Sequence, residues 1–182
     1  MGRLKLMSFQ GGRDMLKMHS WRTTSLAMAL TAIVGLALPA LGGEWRTFRG
    51  HAEERLGPVD IDTDNSPCLM GCVVTAAGAG WATYLGRFRR MSCVAVNPVD
   101  GSAEGITAFI AANGDTLCAE AKVEPPNPED NTVRRGTYTF TETGGTGRFR
   151  DASGGAYFEG VVRSDSSGNI HIAVNFGGII RR

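Results

Sequence analysis

The chain has no C-x-x-C pair, and beyond residue 42 it carries only two histidines, His51 and His171. That leaves too few soft ligands at the right spacing for a zinc site, so no metal is expected. No ten-residue window beyond residue 42 shows a helical stripe, which argues against a bundle or a doubly wound sheet. Charge of one sign is scarce as well. The formal net charge is +1, but Arg3, Lys5, Arg13, Lys17 and Arg22 fall in the first 42 positions beside one acid, Asp14. Setting those aside leaves 14 basic and 17 acidic residues, a net of −3. Such a balance gives no electrostatic footprint for nucleic acid. Nor is there an apolar run of the roughly 20 residues that a membrane-spanning helix needs.

Within 182 residues stand 25 glycines, well above the usual share, with no G-X-Y period. Tight turns between short strands fit that composition. The N-terminal asymmetry has its own reading. Lys17, His19 and Arg22 precede the short apolar run Leu26 to Leu38, and small residues follow at Ala40 and Gly42. A basic segment, a short apolar segment and a small-residue cleavage site make a secretory signal peptide over 1–42, its start possible at Met15 or Met18. The mature chain, 43–182, is then secreted or periplasmic and has no membrane anchor. Export makes disulfides expected among Cys68, Cys72, Cys93 and Cys118. A Cys93–Cys118 bridge meets a geometric objection if a strand lies between them, because backbones two strands apart sit about 9–10 Å from each other. Cys68 to Cys72, or either one to Cys93, is easier to build, and the pairing stays open.

Beyond residue 42 the dominant period is two. Gly136 to Thr141 alternates throughout, and Gly105 to Ala111 runs through Asn113-Gly114 into Thr116 to Lys122, a strong hairpin signal. Ser92 to Asn97 and Ala103 to Ala111 flank a turn at Pro98 to Gly101. Ala156 to Arg163 and Ile170 to Phe176 flank Ser164 to Asn169. Earlier, Cys72 to Ala77 and Trp81 to Phe88 read as strands divided at Gly78-Ala79-Gly80, after a first strand near Thr47 to Glu53. Glu124 to Asn131, with three prolines, is a surface loop. Eight or nine short antiparallel strands need closure to hide their edges, so the expected fold is all-β, a single up-and-down barrel.

The stretch TGGTGRFRDASGG, Thr143 to Gly155, looks at first like a phosphate loop. It follows an alternating strand, precedes no helix and has no Lys-Ser/Thr after its last glycine, so it binds no nucleotide and no cofactor is expected. It reads instead as a connection between strands, with Gly144, Gly145, Gly147 and Gly154 for the turns and Phe149 as an apolar plug. With its continuation to Gly160, GGTGRFRDASGGAYFEG resembles the strand–Gly-Gly-Thr-Gly-x-Phe–small–Gly–strand passage of plant dirigent proteins and allene oxide cyclases. The wider pattern, Gly80 to Gly160, resembles a group of exported bacterial proteins of the same barrel type. The resemblance implies an eight-stranded antiparallel barrel, a small apolar molecule confined within it, cyclisation or coupling of that molecule, and trimers.

Strand parity frames the site. Ile170, Ile172, Val174 and Phe176 share one face, and so do Tyr138 and Phe140. If that parity faces inward, the lumen is apolar, and Glu120, Glu159 and His171 lie on the outer surface. If the polar parity faces inward, those three are the acid–base candidates. Trp81, Tyr84, Tyr138 and Phe140 are the ligand-binding candidates. Arg87, Arg89 and Arg90 read as a solvated rim. Three functions follow from three lumens. The leading one is a structural or interaction module, its barrel packed solid and non-enzymatic. A carrier of a small apolar molecule requires an open lumen. A cofactor-free cyclase or isomerase requires an open lumen that also holds a carboxylate and a second polar group.

Overall fold

In a computed structural model the described residues are 43–58, 66–142 and 144–182. The signal peptide expected over 1–42 lies outside them. Eight strands follow one another in chain order: β1 (Arg46–Leu56), β2 (Ala76–Ala82), β3 (Gly86–Val96), β4 (Ala103–Ala111), β5 (Thr116–Val123), β6 (Val133–Phe140), β7 (Ser153–Ser164) and β8 (Ile170–Arg181). Each pairs antiparallel with the next, and β8 pairs with β1, so the sheet is a closed up-and-down barrel. Closure leaves no strand edge unpaired. Eight strands in this order is the architecture that the resemblance implies. Among the described residues no helix is long and apolar enough to cross a membrane.

The turns come largely where the sequence places them. Gly114 takes φ +88° in the Asn113-Gly114 hairpin and Gly101 takes +73° after Pro98. One expectation fails. Gly78-Ala79-Gly80 is not a turn but the middle of β2, and the chain reverses at 83–85, where Tyr84 takes φ +69°. Consequently Arg87 to Val96 is one continuous strand. The glycines of β2 serve close approach. A Cβ on Gly80 would meet the Ala52 backbone at 2.8 Å and the Phe88 ring at 2.8 Å.

Inward-facing residues alternate with outward ones along every strand. The apolar parity faces the lumen: Tyr138, Phe140, Val174 and Phe176 are all buried. At one end Phe48, Phe88, Phe109, Phe140 and Phe176 pack ring on ring, with Phe48 stacked on Phe176 at 5.4 Å and edge-on to Phe140 at 5.0 Å. Lumen glycines make room for these rings. A Cβ on Gly50 would come within 2.5 Å of the Phe176 ring, and one on Gly136 within 2.6 Å of Phe158. The connection from β6 to β7 closes this end. Its 3-10 turn, Gly147–Phe149, delivers the fully buried Phe149 as the expected plug.

A second, smaller core lies outside the barrel. The segment after the first strand lays Leu69 and Val74 over Met91, Ala108 and Ile110 on the outer face of β3 and β4. Two disulfides fasten it, Cys72–Cys93 to β3 and Cys68–Cys118 to β5. All four cysteines are therefore bonded. The strand β4 does separate Cys93 from Cys118. The Cys68–Cys118 pair was not among the pairings that local spacing favours. It forms because the segment crosses the outside of β4, so cysteines four residues apart reach opposite flanks.

Two outcomes are expected. Non-reducing peptide mapping should recover Cys68–Cys118 and Cys72–Cys93, and replacing Cys68 and Cys118 together by serine should cost about 2–4 kcal/mol in chemical denaturation. Recovery of a Cys68–Cys93 peptide would contradict the strap. In the β7–β8 turn, Asp165 accepts hydrogen bonds from Asn169 Nδ2 at 2.8 Å, from the Asn169 amide at 2.9 Å and from the Ser167 amide at 2.8 Å. These bonds hold its pKa down at about 2, below the ordinary 3.8. A folded-state pKa below the unfolded one means the turn gains from Asp165 above about pH 4 and loses that gain as pH falls toward 2. A carboxyl NMR titration with a midpoint near 3.8 would refute this.

Candidate functional site

Opposite the phenylalanine-packed end the lumen is open. A cavity of about 330 Å³ is lined mainly by Leu56, Val94, Val123, Ile172, Val174 and Phe158, with small alanines between them. These residues share the inward parity of their strands, so the same alternation that fills one end with rings walls the other mainly with aliphatics. Pro126, Gly101 and Arg134 form the mouth. A larger concavity, about 500 Å³, lies on the rim around Asn97, Ser102, Glu104 and Lys122. Its mixed charged and backbone walls give it no comparable apolar enclosure.

Across the boundary between packed and open halves stands a polar cluster. The Arg90 guanidinium pairs through Nη1 with Glu54 Oε1 and donates from Nη2 to the Tyr138 hydroxyl oxygen. All three residues are buried, Glu54 at 4%, Arg90 at 6% and Tyr138 at 1% exposure. Glu54 is on β1 and Arg90 on β3, with β2 between them. The register runs Glu54 to Gly78 to Arg90. Gly78 puts no side chain into that layer, so the two long side chains meet across it. A Cβ there would also come within 2.7 Å of the Glu54 Cα.

Aromatic rings complete the setting. Arg90 sits 5.1 Å from the Tyr138 ring centroid and 5.7 Å from that of Phe109. Such contacts suit a planar, weakly hydrated guanidinium. Tyr138 stacks on Phe158 at 4.6 Å. Burial lowers the pKa of Arg90 from its ordinary value and raises that of Tyr138. Beside them the Ser92 and Thr107 hydroxyls bond each other at 3.0 Å. Arg90 Nε has no hydrogen-bond partner among the described residues.

The expected site residues fall in different places. Of the four ligand-binding candidates, Tyr138 lines the cavity. Phe140 is in the packed half against Phe48. Tyr84 lies at the closed end between Arg46 and Arg182, 5.7 and 5.2 Å from its ring. Trp81 is on the outer wall, 48% exposed. Glu120, Glu159 and His171 are exposed on the outer face and are not brought together. Glu159 pairs with Arg135 at 2.9 Å and His171 with Asp165 at 3.2 Å. Arg90 corrects the solvated rim, since only Arg87 and Arg89 of that trio face outward. Its parity with Phe88 carried the signal. Glu54, two residues from Ala52, shares the inward parity, but no local feature of the sequence marks it.

Two solved structures of pterocarpan synthase dirigent proteins are similar to the chain. GePTS1 shares 16% identity over 86% of this chain and all of its own, at a TM-score of 0.39. PsPTS1 shares 14% over 76% of this chain and 96% of its own, at 0.35. At those values the likeness carries nothing about activity. No family model and no curated protein matches the chain.

Removing one partner of a buried ion pair leaves an uncompensated charge, at about 3–5 kcal/mol. Glu54→Ala should lose that much in urea denaturation, and Glu54→Ala with Arg90→Leu should recover part of it. A single variant within about 0.5 kcal/mol of the parent would show that the pair is not buried in solution.

Proposed function

We propose that this is an exported barrel that holds a small molecule with an apolar body in the open half of its lumen. One observation carries the reading: a cavity enclosed by aliphatic walls ends on a single polar cluster rather than on more packed side chains. Pockets of roughly 300–1,000 Å³ with few convergent polar groups are the usual form of small-molecule sites. The cavity stands at the lower end of that span, suited to a molecule of one or two fused rings or a short chain. A barrel packed solid, the leading expectation from the sequence, fits the phenylalanine half only.

Export is supported by the basic–apolar–small pattern of 1–42 and by the bonding of every cysteine, which suits an oxidising compartment. The exposed Tyr157 and Ile179 on the outer wall favour an assembly of copies, in keeping with the trimer that the resemblance implies.

A second reading has an observation of its own. Glu54 and Tyr138 bring a carboxylate and a phenol into one cavity through Arg90, and a confined ligand held against such groups is positioned for ring closure or isomerisation. The receptor reading comes first because it needs only the cavity.

Native mass spectrometry of protein from an exporting host tests it. A copurified mass of a few hundred daltons, lost on denaturation, is expected for the parent. Val123→Trp, which fills the mouth from β5, should lack it while keeping the parent's melting temperature within about 4 °C. An apo mass for the parent, together with no uptake of added naphthalene-sized compounds, would overturn the reading. The same spectrum reports the number of copies.

A further inference from the structure

We infer that the molecule held in the open half-lumen is uncharged and carries a hydrogen-bond-accepting oxygen, a carbonyl or an ether, that docks on the Tyr138 hydroxyl. The inference rests on the receptor reading above and assigns the chemistry of its polar end.

Hydrogen-bond accounting at the cluster leads there. Arginine has five N–H donors and no acceptor, so the Arg90–Tyr138 contact uses the phenol oxygen as acceptor. The phenol hydrogen is then left to donate elsewhere. No hydrogen bond donated by it occurs among the described residues, and Arg90 Nε–H is unmatched too. Ser92 and Thr107 are occupied with each other. Two buried donors thus lack acceptors at the floor of an otherwise apolar cavity. A buried donor left unmatched is costly, so a ligand that supplies an acceptor gains more than one that supplies only apolar surface. The charge on Arg90 also polarises the phenol, which makes its hydrogen a stronger donor.

Charge balance excludes the ionic alternatives. Glu54 and Arg90 neutralise one another, so the floor holds no net charge to offset a buried carboxylate or ammonium group. The other cation near the cavity, Arg134, is at the mouth and spends Nη1 on the carbonyl oxygens of Asn131 and Val133. Glu54 is itself an acceptor, so it repels a ligand oxygen and directs it to the Tyr138 side of the cluster.

The test uses three probes of one shape: 2-acetylnaphthalene, its hydrocarbon counterpart 2-isopropenylnaphthalene, and 2-naphthoate. Calorimetric titration should give the ketone about tenfold tighter than the hydrocarbon, with the carboxylate weakest. Tyr138→Phe should reduce the ketone's advantage over the hydrocarbon to about twofold or less. Infrared difference spectra on the parent protein need no variant. There the bound ketone's carbonyl band should lie below its position in hexane. Equal affinity for ketone and hydrocarbon, a preference for the carboxylate, or a band at the hexane position would overturn this inference while leaving the receptor reading intact. Binding of none of the three would overturn both.

Discussion

Two opposite charges, Glu54 and Arg90, are buried inside a barrel only eight strands round, and much of the interior is arranged for them. Desolvating either alone would be prohibitive, and even the pair gains little unless its remaining polar atoms are met. Three features of the fold address that cost. Gly78 clears the space between β1 and β3 so that the side chains can meet. Tyr138 takes one guanidinium donor from β6. The rings of Tyr138 and Phe109 offer their faces to the cation. With the cluster in place, the lumen is divided. Below it the aromatic rings pack on one another, and above it aliphatic walls enclose a cavity.

The same economy of volume shapes the rest of the barrel. Eight strands leave an interior just wide enough for side chains to fill. Phenylalanines fit because glycines stand opposite them, Gly50 against Phe176 and Gly136 against Phe158. In the open half most inward positions are aliphatic, with the small Ala76, Ala103 and Ala121 among them, and space remains. Outside, the disulfide-fastened strap over β3 and β4 covers Met91, Ala108 and Ile110, which would otherwise be an apolar patch on the outer wall.

Much of this was legible in the residues. Alternation at Tyr138 and Phe140, the run from Ile172 to Phe176, the Asn113-Gly114 hairpin and the Phe149 plug each appear where local pattern puts them, because turn chemistry and pleat are local. What failed depended on partners distant in sequence. Gly78-Ala79-Gly80 carries the composition of a turn, yet it serves close packing of β1 on β2, which no neighbouring residue announces. Arg90 was hidden in a run of three arginines, since charge alone suggests solvent and only parity with Phe88 says otherwise. Glu54 stood among Glu53 and Arg55, an ordinary polar stretch until Arg90 faces it. Cys68–Cys118 required knowing that a loop passes over β4.

The central claim is that the Glu54–Arg90–Tyr138 layer separates a receptive half of the lumen from a packed one. Methyl NMR tests it directly, with Val94, Val123, Ile172 and Val174 reporting from the cavity and Leu117 and Ile180 from the packed end. On titration with naphthalene the account predicts shifts at the first set and none beyond noise at the second. Shifts spread equally over both sets, or absent from the cavity methyls at saturating naphthalene, would contradict it.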